Sequence, residues 1–315
     1  MTSSSSAPAP EKTYSPESGM AFMIAAVLLV PISDAMSKSL TGVLSPFEIA
    51  FWRFGFQMLV LGLFVVVMRR RLARGPWHLM VMGGLTMAMV LSSLIGAFVT
   101  MPIATAIAIF FVEPLILTVL SSLLLGEKTG WRRYAAVVVG LTGAVIVIRP
   151  SWDIFGWASL LPLVAATGFA SNAIVIRKLS RSMDAISIQF WFSLIAMAII
   201  GTGLLVFGHF ELISLSGGFD PQGPWGQLFF MGMWSGFTFF LFAEAFRRAP
   251  ASTLAPFQYL EIIGATIVGY VVFGDFPDLW TWVGTAIIFA SGLYVFQRER
   301  KQGRIDRVEA SGRTE

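Results

Sequence analysis

The sequence contains no cysteine and only two histidines, His78 and His209, which lie far apart. Disulfide scaffolds, thiolate metal sites and cysteine nucleophiles are therefore excluded, and a metal centre is not expected. Charge is also scarce, because charged residues make up 13% of the chain, about half the share in an average soluble protein. Hydrophobic residues make up 56%, and this balance predicts a chain that faces lipid as well as a packed interior.

Motifs of the common enzyme classes are absent too. The chain has no Walker A sequence, no GxSxG and no HExxH. We therefore expect no cofactor and no direct use of ATP. The sequence pI of about 9.6 is typical of a protein that binds nucleic acid, but the basic residues lie between apolar runs, which favours a membrane protein instead.

Ten stretches are apolar and long enough to cross the roughly 30 Å hydrocarbon core of a bilayer. The predicted spans are residues 19–40, 47–68, 79–100, 104–125, 134–148, 155–176, 185–207, 226–246, 251–272 and 280–296. The predicted fold class is an all-α integral membrane protein with ten transmembrane helices. Because the fifth span is short, leaving it out would give a count of nine spans.

The distribution of basic residues predicts the orientation of these spans. With the N-terminus in the cytoplasm, 22 Lys and Arg residues all fall on the cytoplasmic side except Lys38, Arg53 and Arg149. This is the positive-inside pattern, and it predicts that both termini are cytoplasmic. Residues 1–18, rich in Ser, Ala and Pro, are predicted to be a disordered tail, and residues 298–315 a basic tail. The first span is too long for a signal-peptide core, so we expect it to be retained.

The chain repeats itself at an offset of 148 residues. Identical residues recur at Ala97/Ala245, Phe98/Phe246, Pro102/Pro250, Thr105/Thr253, Glu113/Glu261, Thr118/Thr266 and Gly126/Gly274. Each half, residues 19–150 and residues 151–297, holds five spans, so the second half must be inverted in the membrane. Inverted repeats are typical of secondary transporters, whose substrate site lies at the repeat interface near the bilayer midplane.

Several sequences of the first half point to a family. They are Ala104-Thr105-Ala106, Glu113-Pro114, Leu124-Leu125-Gly126-Glu127-Lys128 and Gly140-Leu141-Thr142-Gly143-Ala144. The chain resembles the drug/metabolite transporter superfamily, in its ten-span branch built from two EamA-type domains. The resemblance implies secondary transport of a small metabolite across a bacterial inner membrane. Proteins similar in this way carry amino acids, S-adenosylmethionine, riboflavin and other metabolites.

Two acids stand out inside the predicted spans. Glu113 and Glu261 lie near the middle of the fourth and ninth spans and are related by the repeat. Ionisable groups at this depth usually face a cavity or a partner, so both are candidates for binding the substrate or a coupling proton. The alternative is that they are bonded to neighbouring hydroxyls, such as those of Thr118 and Thr266.

Prolines beside these acids predict broken helices. Pro114 directly follows Glu113 and should kink the fourth span, because it cannot donate a backbone hydrogen bond. Pro256, five residues before Glu261, is expected to act in the same way on the ninth span. Broken helices free backbone groups for a ligand.

Four further charged residues lie in or near the first two spans. Arg53 is expected to pair with Asp34 or Glu48, and alternatively its planar fork would bind a substrate carboxylate or phosphate. Asp34 and Lys38 are four residues apart on one helical face, which favours an internal pair. Glu48 and Lys38 are close enough to the outer boundary to snorkel.

One acid lies near the cytoplasmic end of the eighth span. Glu244 stands beside Arg247 and Arg248, where it is either an interfacial pair or a gating residue.

The two halves differ at the centre of the site. Gln258 and Tyr259 occupy the positions of Phe110 and Phe111, so polar anchors would face an aromatic wall. Stacking faces with a few polar anchors suit a flat heteroaromatic ligand, and Trp191 and Trp234 were expected to join these rings.

The favoured function is alternating-access transport of a heteroaromatic vitamin or nucleoside-like compound such as riboflavin. Within the same family, an amino acid or S-adenosylmethionine is the alternative substrate. Two alternatives belong to other classes: an intramembrane enzyme with Glu113 and Glu261 as an acid/base pair, and a passive channel. The expected partners are the metabolite and lipid, with protons as the candidate coupling ion and no nucleic acid.

Overall fold

The structure is a computed structural model that describes residues 16–125, 131–209, 222–249 and 251–311. Within these ranges it is helical, with no strand. The helices are α1 (Pro16–Leu40), α2 (Pro46–Val67), α3 (Trp77–Phe98), α4 (Ile103–Phe110), α5 (Glu113–Leu125), α6 (Trp131–Phe155), α7 (Leu161–Leu179), α8 (Ala185–His209), α9 (Trp225–Arg248), α10 (Ala251–Gln258), α11 (Glu261–Phe273) and α12 (Leu279–Ser311). A 3₁₀ turn, Gly156–Leu160, leads into α7.

These helices confirm the ten-span prediction. Nine apolar helical segments in the described ranges are long enough to cross a membrane, and the tenth is the shorter Tyr134–Arg149 within α6. Helices α4 and α5 together form one span, and α10 and α11 form another. Helix α1 already begins at Pro16, inside the predicted disordered tail, and α12 continues to Ser311 within the predicted basic tail. The prediction of disorder for residues 1–15 lies outside the described residues.

The helix boundaries follow the repeat. Helices α3 to α6 begin at residues whose numbers, increased by 148, are the first residues of α9 to α12. The packing follows it as well, since α1 packs on α9 as α7 packs on α3, while α2–α8 and α6–α12 pair across the pseudo-two-fold axis. In the α6–α12 pair a Cβ on Gly284 would lie 2.6 Å from the Gly143 carbonyl oxygen. This contact requires glycine, and it lets the two backbones meet at the axis.

Both repeats interrupt a span at the same position. The first break is Phe111–Val112, between α4 and α5, and the second is Tyr259–Leu260, between α10 and α11. At each break the helix tightens to a 3₁₀-type bond, from Val112 N to the Ile109 carbonyl (3.2 Å) and from Leu260 N to the Phe257 carbonyl (3.1 Å).

The two prolines differ in their relation to the breaks. Pro114 is the second residue of α5 and follows the first break, as expected. Pro256 lies inside α10, three residues before the second break, and the chain stays helical through Gln258. The repeat counterpart of Pro114 is Ile262. Both repeats therefore have the break although only one has the proline, so the break is a feature of the repeat fold and does not depend on one residue.

The two ends of the bundle are packed differently. We call the end with the connections after α1, α3 and α11 the outer end, following the predicted orientation, and the opposite end the inner end. At the outer end α4 packs against α11. Their repeat counterparts at the inner end, α10 and α5, make no comparable contact within the described residues. The pseudo-symmetry is therefore broken along the membrane normal.

Candidate functional site

The two helix breaks meet at the repeat interface. Phe111 and Tyr259, which are repeat counterparts, have ring centroids 5.2 Å apart. Tyr259 also meets Phe289 edge-on at 4.8 Å, and Phe110 meets Phe169 edge-on at 5.6 Å. We call these five rings the aromatic cluster. It forms at the axis because one position of the repeat supplies a ring from each half.

A glycine sets the position of the Tyr259 ring. The Tyr259 hydroxyl lies against Gly292 of α12, where any Cβ would overlap it. In the first repeat the corresponding pair is Phe111 and Ala144. Compared with the first half, the second half has a hydroxyl on the ring of Tyr259 and no methyl group at Gly292 of the facing helix. The larger side chain therefore fits at the break.

The polar side chains at the breaks have no hydrogen-bond partner among the described residues. These side chains are Glu113, Gln258, Tyr259 and Glu261, and we call them the break residues. Each is only partly enclosed by protein. Tyr259 lies within electrostatic range of Glu113, and Glu261 lies within range of Asp34 and Arg53. Unpaired polar groups deep in a membrane protein are costly unless water or a ligand satisfies them.

The structure does not support the alternative that Glu113 and Glu261 are bonded to the hydroxyls of Thr118 and Thr266. Thr118 donates its hydroxyl proton to the Pro114 carbonyl oxygen at 3.0 Å rather than to Glu113. The Thr266 hydroxyl oxygen is buried and has no hydrogen-bond partner in the described structure. Neither hydroxyl therefore forms a hydrogen bond with Glu113 or Glu261.

In contrast to the break residues, Asp34 and Arg53 are hydrogen-bonded to other side chains. Arg53 donates to Asp34 Oδ1 at 3.1 Å, and also to the hydroxyls of Ser37 (3.2 Å) and Ser33 (3.1 Å). We call these four residues the arginine cluster. The Asp34 residue is 2% exposed, so the pair is desolvated and tied between α1 and α2. The expected ion pair is present, and the guanidinium faces its own partners.

The predicted ion pair between Lys38 and Asp34 within the first span is wrong. The Lys38 ammonium bonds Asp275 Oδ2 of the second repeat at 2.6 Å and the Met101 carbonyl oxygen at 3.1 Å. It also lies 4.7 Å from the centroid of the Phe273 ring. Asp34 is already bonded to Arg53, so the shared helical face does not decide the partner. The result is an ionic contact between the two repeats at the outer end, which we call the outer contact.

Two other acids are bonded within their own helices. Glu48 does not snorkel, because it is fully buried and its Oε2 accepts bonds from the Ser45 backbone N–H (2.9 Å) and hydroxyl (2.8 Å) in a capping box. Glu244 pairs with Arg248 at 3.0 Å, and Arg248 lies over the Phe22 ring. The Arg247 side chain lies outside the described residues. This geometry favours an interfacial pair at the inner end.

The expected tryptophans are not part of the aromatic cluster. Trp191 donates its indole N–H to the Ala73 carbonyl oxygen (3.0 Å), and Trp234 donates to the Leu29 carbonyl oxygen (2.9 Å). Their places are taken by Phe169 and Phe289, which the sequence did not single out. Only Gly292 offered a signal, as a smaller residue at the position where the first repeat has alanine.

Comparisons with known proteins agree with this architecture. The model of the EamA-like transporter family matches residues 17–149 and again residues 156–297. The S-adenosylmethionine uptake transporter of Rickettsia prowazekii (strain Madrid E) is 29% identical over 92% of this chain and 95% of its own length. The riboflavin transporter of Rhizobium johnstonii (strain DSM 114642 / LMG 32736 / 3841) is 27% identical over 81% of this chain and 82% of its own length.

A solved crystal structure covers 91% of this chain and 99% of its own, with a TM-score of 0.63 and 20% identity, which shows a shared fold. The family and the names of the relatives indicate a transporter of small metabolites rather than an enzyme. With a match in both repeats, the chain belongs to the EamA-like transporter family.

Proposed function

We propose that the protein carries a small heteroaromatic metabolite across the membrane by alternating access, with the substrate held between the two helix breaks. One observation carries the proposal: four polar side chains without protein partners border five aromatic rings at the repeat interface. Binding sites for flat ligands combine stacking faces with a few polar anchors. An intramembrane enzyme or a passive channel has no comparable support.

The relatives name two substrates of this kind. S-adenosylmethionine and riboflavin each join a flat heteroaromatic ring to a polar chain, and each is transported by a relative of this protein according to its name. An aliphatic amino acid would gain little from the aromatic cluster. Both heteroaromatic compounds are therefore candidate substrates, and the aromatic cluster supports them equally.

The uneven packing of the two ends supports alternating access. Helices α4 and α11 close the outer half of the repeat interface, and the outer contact joins Lys38 to Asp275 beside them. The counterparts α5 and α10 make no comparable contact within the described residues at the inner half. These features favour an inward-facing state. If the two repeats exchanged conformations, the inner half would close and the outer half would open, which gives the outward-facing state.

The cysteine-free sequence offers a direct test. Thr105 of α4 and Thr253 of α10 are repeat counterparts in the outer and inner halves, and Gly42 lies in the exposed turn after α1. Each is changed singly to cysteine, and a membrane-impermeant thiol reagent is applied to intact cells. We expect constant labelling of Gly42→Cys and substrate-dependent labelling of Thr105→Cys.

The same reagent applied to inside-out vesicles should label Thr253→Cys less when substrate is present. Lys38→Ala should raise outside labelling of Thr105→Cys without substrate, because the outer contact is lost. Labelling of Thr105→Cys that ignores both substrate and Lys38→Ala would contradict alternating access. Failure of Gly42→Cys to react in cells would contradict the proposed orientation, with both termini in the cytoplasm of a bacterial cell.

Protons are the proposed coupling ion, because both break acids can exchange a proton with a site between the repeats. Tyr259 lies within electrostatic range of Glu113, while Asp34 and Arg53 lie within range of Glu261. Glu113→Gln and Glu261→Gln should lose the pH dependence of transport while still binding substrate, since the amide cannot release a proton. Unchanged pH-dependent uptake in both variants would assign the coupling to another group.

A further inference from the structure

Among the described residues neither break acid forms an ion pair with a base, and only Glu261 lies within electrostatic range of one, Arg53. Near the centre of the described bundle Arg53 is bonded to Asp34, and the ammonium of Lys38 is bonded to Asp275 at the outer end. Glu113 and Glu261 form no ion pair among the described residues. Within the described residues Glu113 is therefore an acid that no neighbouring cation compensates, whereas Glu261 lies within range of Arg53.

The broken helices do not offer an anion site. The N-terminus of a helix ordinarily attracts a negative group through its unpaired N–H groups and its dipole. Here α5 begins at Glu113 and α11 begins at Glu261, so each helix start already carries a carboxylate. A substrate carboxylate or phosphate placed there would meet like charge. The same positions attract a cation.

The aromatic cluster adds to this preference. Tyr259 lies within electrostatic range of Glu113, and its ring contacts both Phe111 (5.2 Å) and Phe289 (4.8 Å). The face of an aromatic ring attracts a cation, and most strongly where water is excluded. Carboxylate and ring faces together suit a group that is both positively charged and attached to a flat ring system.

We propose that the substrate is a cationic heteroaromatic compound, with its positive charge beside Glu113 and its ring against Phe111 and Tyr259. This inference rests on the proposed transport of a heteroaromatic metabolite and narrows it. A sulfonium such as that of S-adenosylmethionine meets the requirement. The uncharged isoalloxazine ring of riboflavin does not, so the charge balance of the site separates the two substrates.

Two pairs of ligands test the charge alone. S-adenosylmethionine is compared with S-adenosylhomocysteine, the uncharged sulfide that lacks the S-methyl group, and 1-methylnicotinamide is compared with nicotinamide. Affinities are measured on the purified full-length protein by titration. In each pair we expect the cation to bind about tenfold more tightly or better, as for a charge-assisted contact out of water.

Variants locate the charge preference within the site. Glu113→Gln should bring the cation/neutral ratio close to one in both pairs. Glu17→Gln, at an exposed acid near the start of α1, is the matched control and should keep the full ratio. The unfolding midpoint of each variant shows whether it is folded, and Glu261→Gln provides a second acid variant.

The outcomes separate this inference from the proposed function. Equal affinity for both members of both pairs, or tight binding of riboflavin alone, would overturn the cationic substrate and leave heteroaromatic transport intact. A full cation/neutral ratio in both Glu113→Gln and Glu261→Gln would also overturn it. Absence of binding by every one of these compounds and by riboflavin would overturn the proposed function itself.

Discussion

The arginine cluster and the break residues are both polar groups inside the membrane, but they are satisfied in opposite ways. Arg53 makes three hydrogen bonds, to Asp34, Ser33 and Ser37, and links α1 to α2. The four break residues make none with the described protein. A buried polar group with all its hydrogen bonds contributes to a defined structure. An unpaired group raises the free energy of the folded protein until a ligand supplies the missing hydrogen bond. In the proposed function, pairing therefore distinguishes the structural residues from the binding residues, although depth in the membrane does not.

The largest effect is expected at the arginine cluster. Arg53→Met leaves Asp34 as an uncompensated buried charge, which should reduce the free energy of unfolding by about 3–5 kcal/mol. The measurement is the unfolding midpoint of the purified protein. The double variant Asp34→Asn/Arg53→Met removes both charges together and should cost much less. Equal losses in the single and double variants would show that the pair is not the source of the effect.

Gln258 should affect binding and not stability. Its side chain has no hydrogen-bond partner to lose among the described residues, so Gln258→Leu should leave the unfolding midpoint close to that of the unmodified protein. A ligand group left unpaired in the site costs about 1–3 kcal/mol, which is roughly a 5- to 150-fold rise in the dissociation constant. Titration with S-adenosylmethionine and riboflavin measures it. A fall in the midpoint with unchanged affinity would place Gln258 among the structural residues.

The smallest effect is expected from a single ring. Phe110→Ala should weaken a heteroaromatic ligand through lost stacking worth about 0.5–1.5 kcal/mol, or roughly 2- to 12-fold in affinity, and barely affect an aliphatic one. Phe64→Ala, at a ring that pairs with Phe240 away from the breaks, is the control. Similar losses in the two variants, or for both kinds of ligand, would remove the aromatic cluster from the site.

Much of the fold was predictable because its signals are local or repeated. Apolar runs of sufficient length identify spans, and the offset of 148 residues that relates Glu113 to Glu261 also sets the helix boundaries. The position of the second break was not predictable from Pro256, since the break follows the repeat and not the proline. The short α6 span was found by its place in the alternation of basic loops.

The site was predictable only in part, because partners across the bundle leave no trace in sequence spacing. Lys38 was assigned to Asp34 by helical periodicity, but Asp275 lies 237 residues away and takes its place. Phe169 and Phe289 were missed, since one phenylalanine among many in apolar spans carries no distinguishing signal. Which acids stay unpaired was visible only once the neighbouring helices were in place.

The central claim is that the break residues bind substrate and the arginine cluster holds the fold, and one measurement tests it directly. The unfolding midpoint is recorded with and without S-adenosylmethionine for two uncharged doubles, Glu113→Gln/Glu261→Gln and Asp34→Asn/Arg53→Met. A ligand that binds the native state raises this midpoint. The account predicts that the first double keeps its midpoint and gives a much smaller rise, while the second gives the full rise and loses only a little of its midpoint. The reverse pattern would contradict it.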